Sequence, residues 1–249
     1  MRLDVALYER GLSRSRNEAK SLIEDGVVAV DGKITKKASY DVTDECEIEI
    51  VSDTHRYVSR GALKLESAIN HFDFTIKDKL AIDVGASTGG FTECLLLNGA
   101  KSVIAVDSGR DQLAPLLKSD ARVTSIEGYN ARYMKPDDFP YVPDLAVMDV
   151  SFISATYIIA PLYECLSDNA DFICLIKPQF EVGKSNIGKG GIVKSEKVRL
   201  TAVEKVIEYA KSVGFELVSY TQSDVPGSDG NIEYLAHFKK FRRIGGSAV

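Results

Sequence analysis

The stretch Leu80-Ala-Ile-Asp-Val-Gly-Ala-Ser-Thr-Gly-Gly-Phe91 decides the fold of this chain. Leu80 to Val84 is a short apolar run with β-branched residues, which is typical of a strand buried on both faces. Small residues follow from Gly85 to Gly90, and they let a backbone pass close to a ligand. The residues from Phe91 onward have helical spacing. We therefore predict a strand, a glycine turn whose amides point outward, and a helix.

Three aspartates accompany this turn. Asp83 precedes Gly85, Asp107 ends the next apolar run 22 positions after Gly85, and Asp149 ends a later one. A Rossmann-type fold places a ribose-binding carboxylate about 20 residues beyond its glycine turn. Carboxylates at these strand ends suit a cofactor with hydroxyls, an amino group and a sulfonium. The pattern favours S-adenosylmethionine.

Other interpretations of the turn remain open. A dinucleotide fingerprint requires a second glycine where Ser87 stands, which disfavours NAD. Gly85-Ala-Ser-Thr-Gly89 also spells the nucleophile elbow of serine hydrolases. That mechanism needs a histidine on a later loop, and the only later histidine, His237, lies inside an apparent strand. A tight turn without a ligand is the third possibility.

Composition limits the remaining classes. The chain has 249 residues, 45% hydrophobic and 27% charged, with a net charge of −5, so any RNA-binding surface must be local. Its four cysteines have no metal-binding spacing, and we predict no metal site. Arg2 and Asp4 interrupt any apolar start, and no apolar run approaches the length of a membrane span. We expect a cytoplasmic protein, monomeric and without a membrane partner.

The first part of the chain predicts a small α+β domain over residues 1–54. Two amphipathic helices precede a strand, the hairpin signal Asp31-Gly32 and further strands. The stretches Arg2-Leu-Asp4, Ser15-Arg16 and Gly26-Val-Val-Ala-Val-Asp-Gly32 resemble the RNA-binding module named after small-subunit ribosomal protein four. The resemblance implies RNA contact through Arg14, Arg16 and Lys33. We expect further contacts from Arg56 and Arg60, in a linker predicted over residues 55–61.

The second predicted domain spans residues 62–242 and leaves a tail over residues 243–249. Strand and helix patterns alternate from Leu80 onward, which predicts a doubly wound, mostly parallel sheet. The predicted strands are 80–84, 102–107, 123–126, 145–149 and 171–176, and the predicted helices lie near 90–98, 111–118, 155–166 and 195–213. Two more strand-like runs, 215–220 and 232–238, have no helix between them, so the last strand should be antiparallel. This order is typical of Rossmann-like methyltransferases.

This topology brings distant residues to one edge of the sheet. Ligands bind outside the carboxyl ends of parallel strands, where Gly85, Asp149 and Lys177 stand. An antiparallel last strand returns its first residues, near Glu233, to the same edge. Lys64, at the start of the preceding helix, can join them. Together these side chains indicate a functional site.

Longer motifs resemble the TlyA family, often labelled hemolysin, within the FtsJ-like ribose methyltransferases. They are Val58-Ser-Arg-Gly-Ala-Leu-Lys-Leu65, Asp83 to Thr92, Asn130-Ala-Arg132, Asp149-Val-Ser-Phe-Ile-Ser154, Lys177 to Lys184, Gly188 to Val193 and Pro226 to Tyr234. The resemblance implies a catalytic tetrad of Lys64, Asp149, Lys177 and Glu233, and transfer of a methyl group to cytidine 2′-hydroxyls of ribosomal RNA. The cofactor-binding residues it implies are Asp83, Gly85, Ala86, Ser87, Gly89, Phe91, Asp107, Asn130, Asp149 and Phe152.

The tetrad suits this chemistry. A ribose hydroxyl must be aligned with the sulfonium methyl group and must lose its proton. A second lysine and partial burial would lower the pKa of Lys177 from its reference of about 10.4, so that it could accept this proton. Lys64 and Glu233 would tune Lys177, and Asp149 would face the cofactor.

The glycine-rich segment Pro178 to Lys194 carries Lys184 and Lys189, for which we expect RNA contacts. It is either a lid that orders on RNA or a loop without that role. The intact tetrad argues against a non-catalytic ribosome-binding protein. A hemolytic protein is disfavoured because a buried parallel sheet is costly to insert into a membrane.

Overall fold

The structure, a computed structural model, describes residues 1–13, 15–24, 26–51, 57–227 and 230–241. The chain divides into two compact units, Met1–Arg56 and Tyr57–Val249. Within the predicted linker, residues 57–61 fall in the second unit, whereas residues 55 and 56 lie outside the described residues. The predicted tail lies outside them as well.

The first unit is a small α+β domain. Its elements are α1 (Leu3–Glu9), α2 (Arg16–Glu24), β1 (Val28–Val30), β2 (Lys33–Ile34) and β3 (Ile48–Ile50). Strand β1 lies between the other two and pairs antiparallel with both. Asp31 and Gly32 have φ angles of 49° and 74°, as a tight two-residue hairpin turn requires. The predicted hairpin is confirmed.

The second unit alternates strands and helices. Its elements are α3 (Gly61–His71), β4 (Leu80–Val84), α4 (Gly90–Leu97), β5 (Ser102–Asp107), α5 (Pro115–Lys118), β6 (Val123–Glu127), β7 (Leu145–Met148), α6 (Thr156–Cys165), β8 (Asp171–Ile176), α7 (Pro178–Glu181), α8 (Glu196–Val213), β9 (Phe215–Gln222) and β10 (Tyr234–Lys240). Short 3₁₀ turns lie at Ala131–Tyr133, Pro136–Asp138, Lys184–Asn186 and Lys189–Gly191.

The strands of this unit form one sheet in the order β6-β5-β4-β7-β8-β10-β9. The strands from β4 to β8 are parallel, and β10 runs antiparallel between β8 and β9. The register pairs Tyr234 with Ile176, so the residues next to this pair, Glu233 and Lys177, both lie at the carboxyl edge of the sheet. The predicted doubly wound sheet with an antiparallel last strand is confirmed.

Buried side chains cover both faces of this sheet. One cluster includes Ile82, Ile104, Phe172 and Phe238, and the other includes Leu65, Leu95 and Leu145. Residues of β8 are buried along its whole length, as expected for a central strand. The core thus holds the strand ends rigidly at the carboxyl edge.

One predicted helix is shorter than expected. The sequence suggests a helix from about residue 111 to 118, but α5 begins only at Pro115. The carboxylate of Glu127 accepts backbone N–H groups of Asp111, Gln112 and Leu113, which holds these residues in a loop. Among the described residues, no helix is long and apolar enough to cross a membrane.

Candidate active site

The glycine turn after β4 makes a close backbone approach. Gly85 has φ 87°, and a Cβ atom there would lie 2.4 Å from the carbonyl oxygen of Asp149. Only glycine fits this position. The amide of Ser87 donates a 2.8 Å hydrogen bond to Oδ2 of Asp107, so the acidic residue at the end of β5 faces the turn. The predicted cofactor residues Gly85, Ser87 and Asp107 therefore lie together.

Asp83 lies under this turn and is fully buried. Its Oδ2 accepts a 2.7 Å hydrogen bond from the Thr92 hydroxyl, while its Oδ1 has no hydrogen-bond partner among the described residues. Burial is the main cause that raises the pKa of Asp83 to about 7; hydrogen bonds from Thr92 oppose this rise, and the nearby carboxylates of Asp149 and Asp107 add to it. A buried carboxyl with an open oxygen suits a cationic or hydrogen-bond-donating ligand.

The predicted catalytic side chains form two ion pairs at the carboxyl edge. Lys64 Nζ lies 2.7 Å from Glu233 Oε2, and Lys177 Nζ lies 2.5 Å from Asp149 Oδ1. Lys177 also donates a 2.8 Å hydrogen bond to the hydroxyl of Ser151. Lys64 and Glu233 are 169 positions apart, and their side chains are only 12% and 2% exposed. Burial of this order is rare for charged residues unless they are paired.

A cavity of ≈ 270 Å³ joins the two pairs. It is lined by Lys64, Ser151, Phe152, Lys177, Gln179, Phe180, Ile187, Gly191 and Glu233. Ligand pockets usually measure about 300–1,000 Å³, so this cavity suits a single compact group such as a ribose. The two lysines and Glu233 thus line the same cavity.

Phe152 stands at this cavity in an unusual conformation. It has a φ of 65°, its side chain is 91% exposed, and its ring lies 5.2 Å from that of Phe180. Phenylalanine rarely adopts a left-handed backbone, and such conformations cluster at functional sites. The predicted contact of Phe152 with the cofactor stays a prediction.

The remaining predicted cofactor residues lie around the turn. Ala86 and Phe91 are buried, and Gly89 begins α4 with φ 100°. The side chain of Asn130 accepts a hydrogen bond from the Arg132 amide and begins a 3₁₀ turn after β6. All of them follow the carboxyl ends of strands.

The predicted RNA-binding residues are only partly described. Arg16 is exposed and lies 3.4 Å from the buried carboxylate of Asp4, and Lys33 is exposed on β2. Arg60 precedes α3 and is half-buried. The predictions for Arg14 and Arg56, and for the side chains of Lys184 and Lys189, fall outside the described residues.

Sequence reasoning missed several side chains that complete the site. Ser151 contacts Lys177, Thr92 contacts Asp83, and Gln179 Nε2 lies 3.4 Å from Glu233 Oε1. Ser151 and Gln179 belong to the motifs quoted above, two positions after Asp149 and Lys177 respectively. This spacing in the sequence is the feature that could have identified them as site residues.

Comparison with known families assigns the chain to a family. A profile described as FtsJ-like methyltransferase matches residues 57–240, and one described as S4 domain matches residues 1–48. The chain belongs to the FtsJ-like methyltransferase family. The predicted resemblance and the fold class are thereby confirmed.

Curated relatives of this FtsJ-like chain carry two kinds of names. The 16S/23S rRNA (cytidine-2′-O)-methyltransferase TlyA of Mycobacterium tuberculosis is 43% identical over 94% of this chain and 88% of its own length. Hemolysin A of Brachyspira hyodysenteriae is also 43% identical, over 96% of this chain and 99% of its own length. A solved structure from Streptococcus thermophilus, named "Putative hemolysin", is 42% identical with a TM-score of 0.78 and covers 97% of this chain and 88% of that one.

The residues at the turn fit S-adenosylmethionine, the cofactor that the family implies. Gly85 leaves space that any Cβ would fill, and Asp83 offers a buried carboxyl oxygen without a partner among the described residues. Asp107 and Asp149 add carboxylates at the ends of β5 and β7, the two strands that flank β4. These groups match the hydroxyls and positive charges of that cofactor.

The serine hydrolase alternative is not supported. Ser87 does have a strained φ of 49°, as an elbow serine would. However, His237 is buried and its Nε2 lies 2.8 Å from Asp171, the first residue of β8. This places it toward the amino end of the strands, away from the turn.

Gly85→Ala should abolish cofactor binding, because its Cβ would collide with the Asp149 backbone. We expect the dissociation constant for S-adenosylmethionine, measured by isothermal titration, to rise more than tenfold. Gly11→Ala is the matched control, since Gly11 also has a positive φ of 71° but nothing within 4 Å of a Cβ. Wild-type affinity in Gly85→Ala would contradict the assigned turn.

The buried carboxyl of Asp83 predicts that the stability of the folded protein falls as pH rises. Its folded pKa of about 7 exceeds an unfolded value of about 3.9, so the folded state holds a proton that the unfolded state lacks between these values. Stability should therefore fall as pH rises from about 4 to about 7, by a few kcal/mol in total. Asp83→Asn should remove this loss.

The measurement compares the free energies of unfolding of wild type and Asp83→Asn between pH 5 and pH 8. We expect the wild type to lose stability relative to the variant as pH rises. Asp120→Asn, at an exposed Asp120–Arg122 pair, is the control and should keep the wild-type slope. A constant difference between wild type and Asp83→Asn would refute the elevated pKa.

Proposed function

We propose that this chain transfers the methyl group of S-adenosylmethionine to the 2′-hydroxyl of a cytidine ribose in ribosomal RNA. The observation that carries the proposal is the cavity that Lys64, Lys177 and Glu233 share. Asp149 connects this cavity with the glycine turn, because its carbonyl oxygen lies against Gly85 and its carboxylate pairs with Lys177. The relatives named for this activity support the choice of substrate.

The site residues divide the chemistry between them. When bound, S-adenosylmethionine would supply the methyl group that the ribose oxygen displaces from sulfur, with S-adenosylhomocysteine as the leaving group. In its amine form, Lys177 accepts the proton that leaves the hydroxyl. Asp149 and Ser151 hold Lys177 in place, and the carboxylate of Asp149 stabilises the ammonium that results.

The second ion pair orients the ribose. Lys64 and Glu233 hold each other at 2.7 Å, so both are fixed before substrate arrives. Glu233 can accept a hydrogen bond from the ribose, and Lys64 can donate one. Such preorganised polar groups lower the cost of aligning the hydroxyl with the methyl group. The exposed ring of Phe152 offers a stacking surface for the base.

The S4 domain and its basic residues provide RNA affinity. Arg16 and Lys33 are exposed on the first unit and suit contacts with phosphates. We expect ribosomal subunits to be the partners of the chain. Because these contacts are electrostatic, binding should weaken as salt rises.

Lys177→Met should abolish transfer while leaving the cofactor bound. We expect a loss of about 10²- to 10⁴-fold in kcat, the usual contribution of a positioned base. The assay follows radiolabel from S-adenosylmethionine into 16S and 23S rRNA from cells that lack the protein. Nucleosides from the product are then separated by mass spectrometry, and 2′-O-methylcytidine is the expected product.

Lys211→Met is the matched control, since Lys211 is exposed on α8 and pairs only with Glu208 among the ion pairs of the described residues. It should retain wild-type activity. Retention of activity in Lys177→Met with normal cofactor affinity would exclude the proposed base. A nucleoside methylated on the base would exclude ribose chemistry.

A further inference from the structure

Asn231 is a buried amide that the methyl-transfer chemistry does not use. It lies two residues before Glu233 and is 1% exposed. A buried amide is costly unless its oxygen and nitrogen both find partners. Here both do, and both partners lie on the same distant segment.

The amide of Asn231 bridges the glycine-rich segment over residues 187–193. Its Oδ1 accepts a 3.0 Å hydrogen bond from the Val193 amide, and its Nδ2 donates a 3.1 Å hydrogen bond to the Gly191 carbonyl. Val193 is itself buried. Backbone groups bonded to the oxygen and to the nitrogen of one planar amide fix both the position and the direction of this segment.

The same residue organises the turn beneath Glu233. The Asn231 carbonyl accepts a 2.9 Å hydrogen bond from the Gly227 amide. Gly227 in turn lies against the Glu233 carboxylate, where a Cβ would come within 2.7 Å of Oε1. Asn231 thus touches the segment through its side chain and supports Glu233 through its backbone.

Both sides of this bridge belong to the wall of the catalytic cavity. Ile187 and Gly191 line it from the segment, and Glu233 lines it from the turn. The segment also carries Lys189, and Lys184 lies three residues before the segment begins; these are the lysines for which the sequence predicts RNA contact. A shift of the segment would therefore move one wall relative to Glu233.

We propose that Asn231 is a positioning residue, which holds the segment over residues 187–193 against the Glu233 turn so that RNA bound by this segment is presented to the cavity. This inference rests on the proposed function. It assigns no contact between Asn231 and the RNA or the cofactor. Loss of the amide should weaken productive RNA binding and leave the cofactor site intact.

The test compares Asn231→Ala and Asn231→Asp with wild type, using purified 16S and 23S rRNA from cells that lack the protein. For Asn231→Ala we expect kcat/KM for rRNA to fall at least tenfold, mainly through a higher KM. The dissociation constant for S-adenosylmethionine should stay within threefold of wild type. The Val193 amide, which donates to Asn231, should exchange hydrogen at least tenfold faster.

Asn231→Asp is the conservative variant. Its carboxylate still accepts the Val193 amide but cannot donate to Gly191, so we expect a smaller loss, of at least threefold. It decides the question if Asn231→Ala does not fold. A variant of Ile104, buried on β5, with the same loss of melting temperature is the stability control and should keep more than half of the activity.

Two results would overturn the inference. One is activity within twofold of wild type for the folded Asn231 variants, and the other is an equal loss in the Ile104 control. Failure of the proposed function gives a different result, because wild type would then transfer no methyl group to rRNA. In that case hydrogen exchange still reports whether Asn231 anchors the segment.

Discussion

The register of β10 on β8 is the constraint on which the site depends. Tyr234 pairs with Ile176, so Glu233 and Lys177 both lie at the carboxyl edge. Side chains alternate between the faces of a sheet, so a slip of one residue would carry buried Leu235 and Phe238 to the opposite faces. The apolar core therefore fixes the register, and the register fixes the site.

Two ion pairs hold the four charged side chains of the site in place. Lys64 pairs with Glu233 and Lys177 with Asp149, so each buried charge has a partner. Removing one member would leave the other uncompensated, which is more costly than the pair itself is stabilising. This arrangement keeps both lysine side chains at one cavity, where a ribose hydroxyl can replace one of their existing contacts. The same four side chains therefore affect both the stability of the folded protein and the proposed methyl transfer.

The sequence predicted the backbone elements around the site better than the side-chain contacts within it. Local patterns predict the turn at Gly85, the strand ends at Asp107 and Asp149 and the reversed last strand, because apolar runs and glycines determine them directly.

The side-chain contacts were predicted less well. Sequence reasoning assigned Lys64 and Glu233 to tune Lys177. The structure instead pairs Lys177 with Asp149 and Ser151, and Lys64 with Glu233. Such choices depend on loop paths across the edge of the sheet, for which residue patterns carry little information. The same reason explains why the bridge made by Asn231 and the short α5 were not predicted.

A crystal structure with S-adenosylhomocysteine tests the central claim most directly, namely that the glycine turn and the lysine cavity form one site. The account predicts the homocysteine end beside Gly85 and Asp149, the ribose near Asp107, and the sulfur directed into the cavity lined by Lys177 and Glu233. A ligand whose sulfur faces away from this cavity, or one bound at the amino ends of the strands, would contradict it.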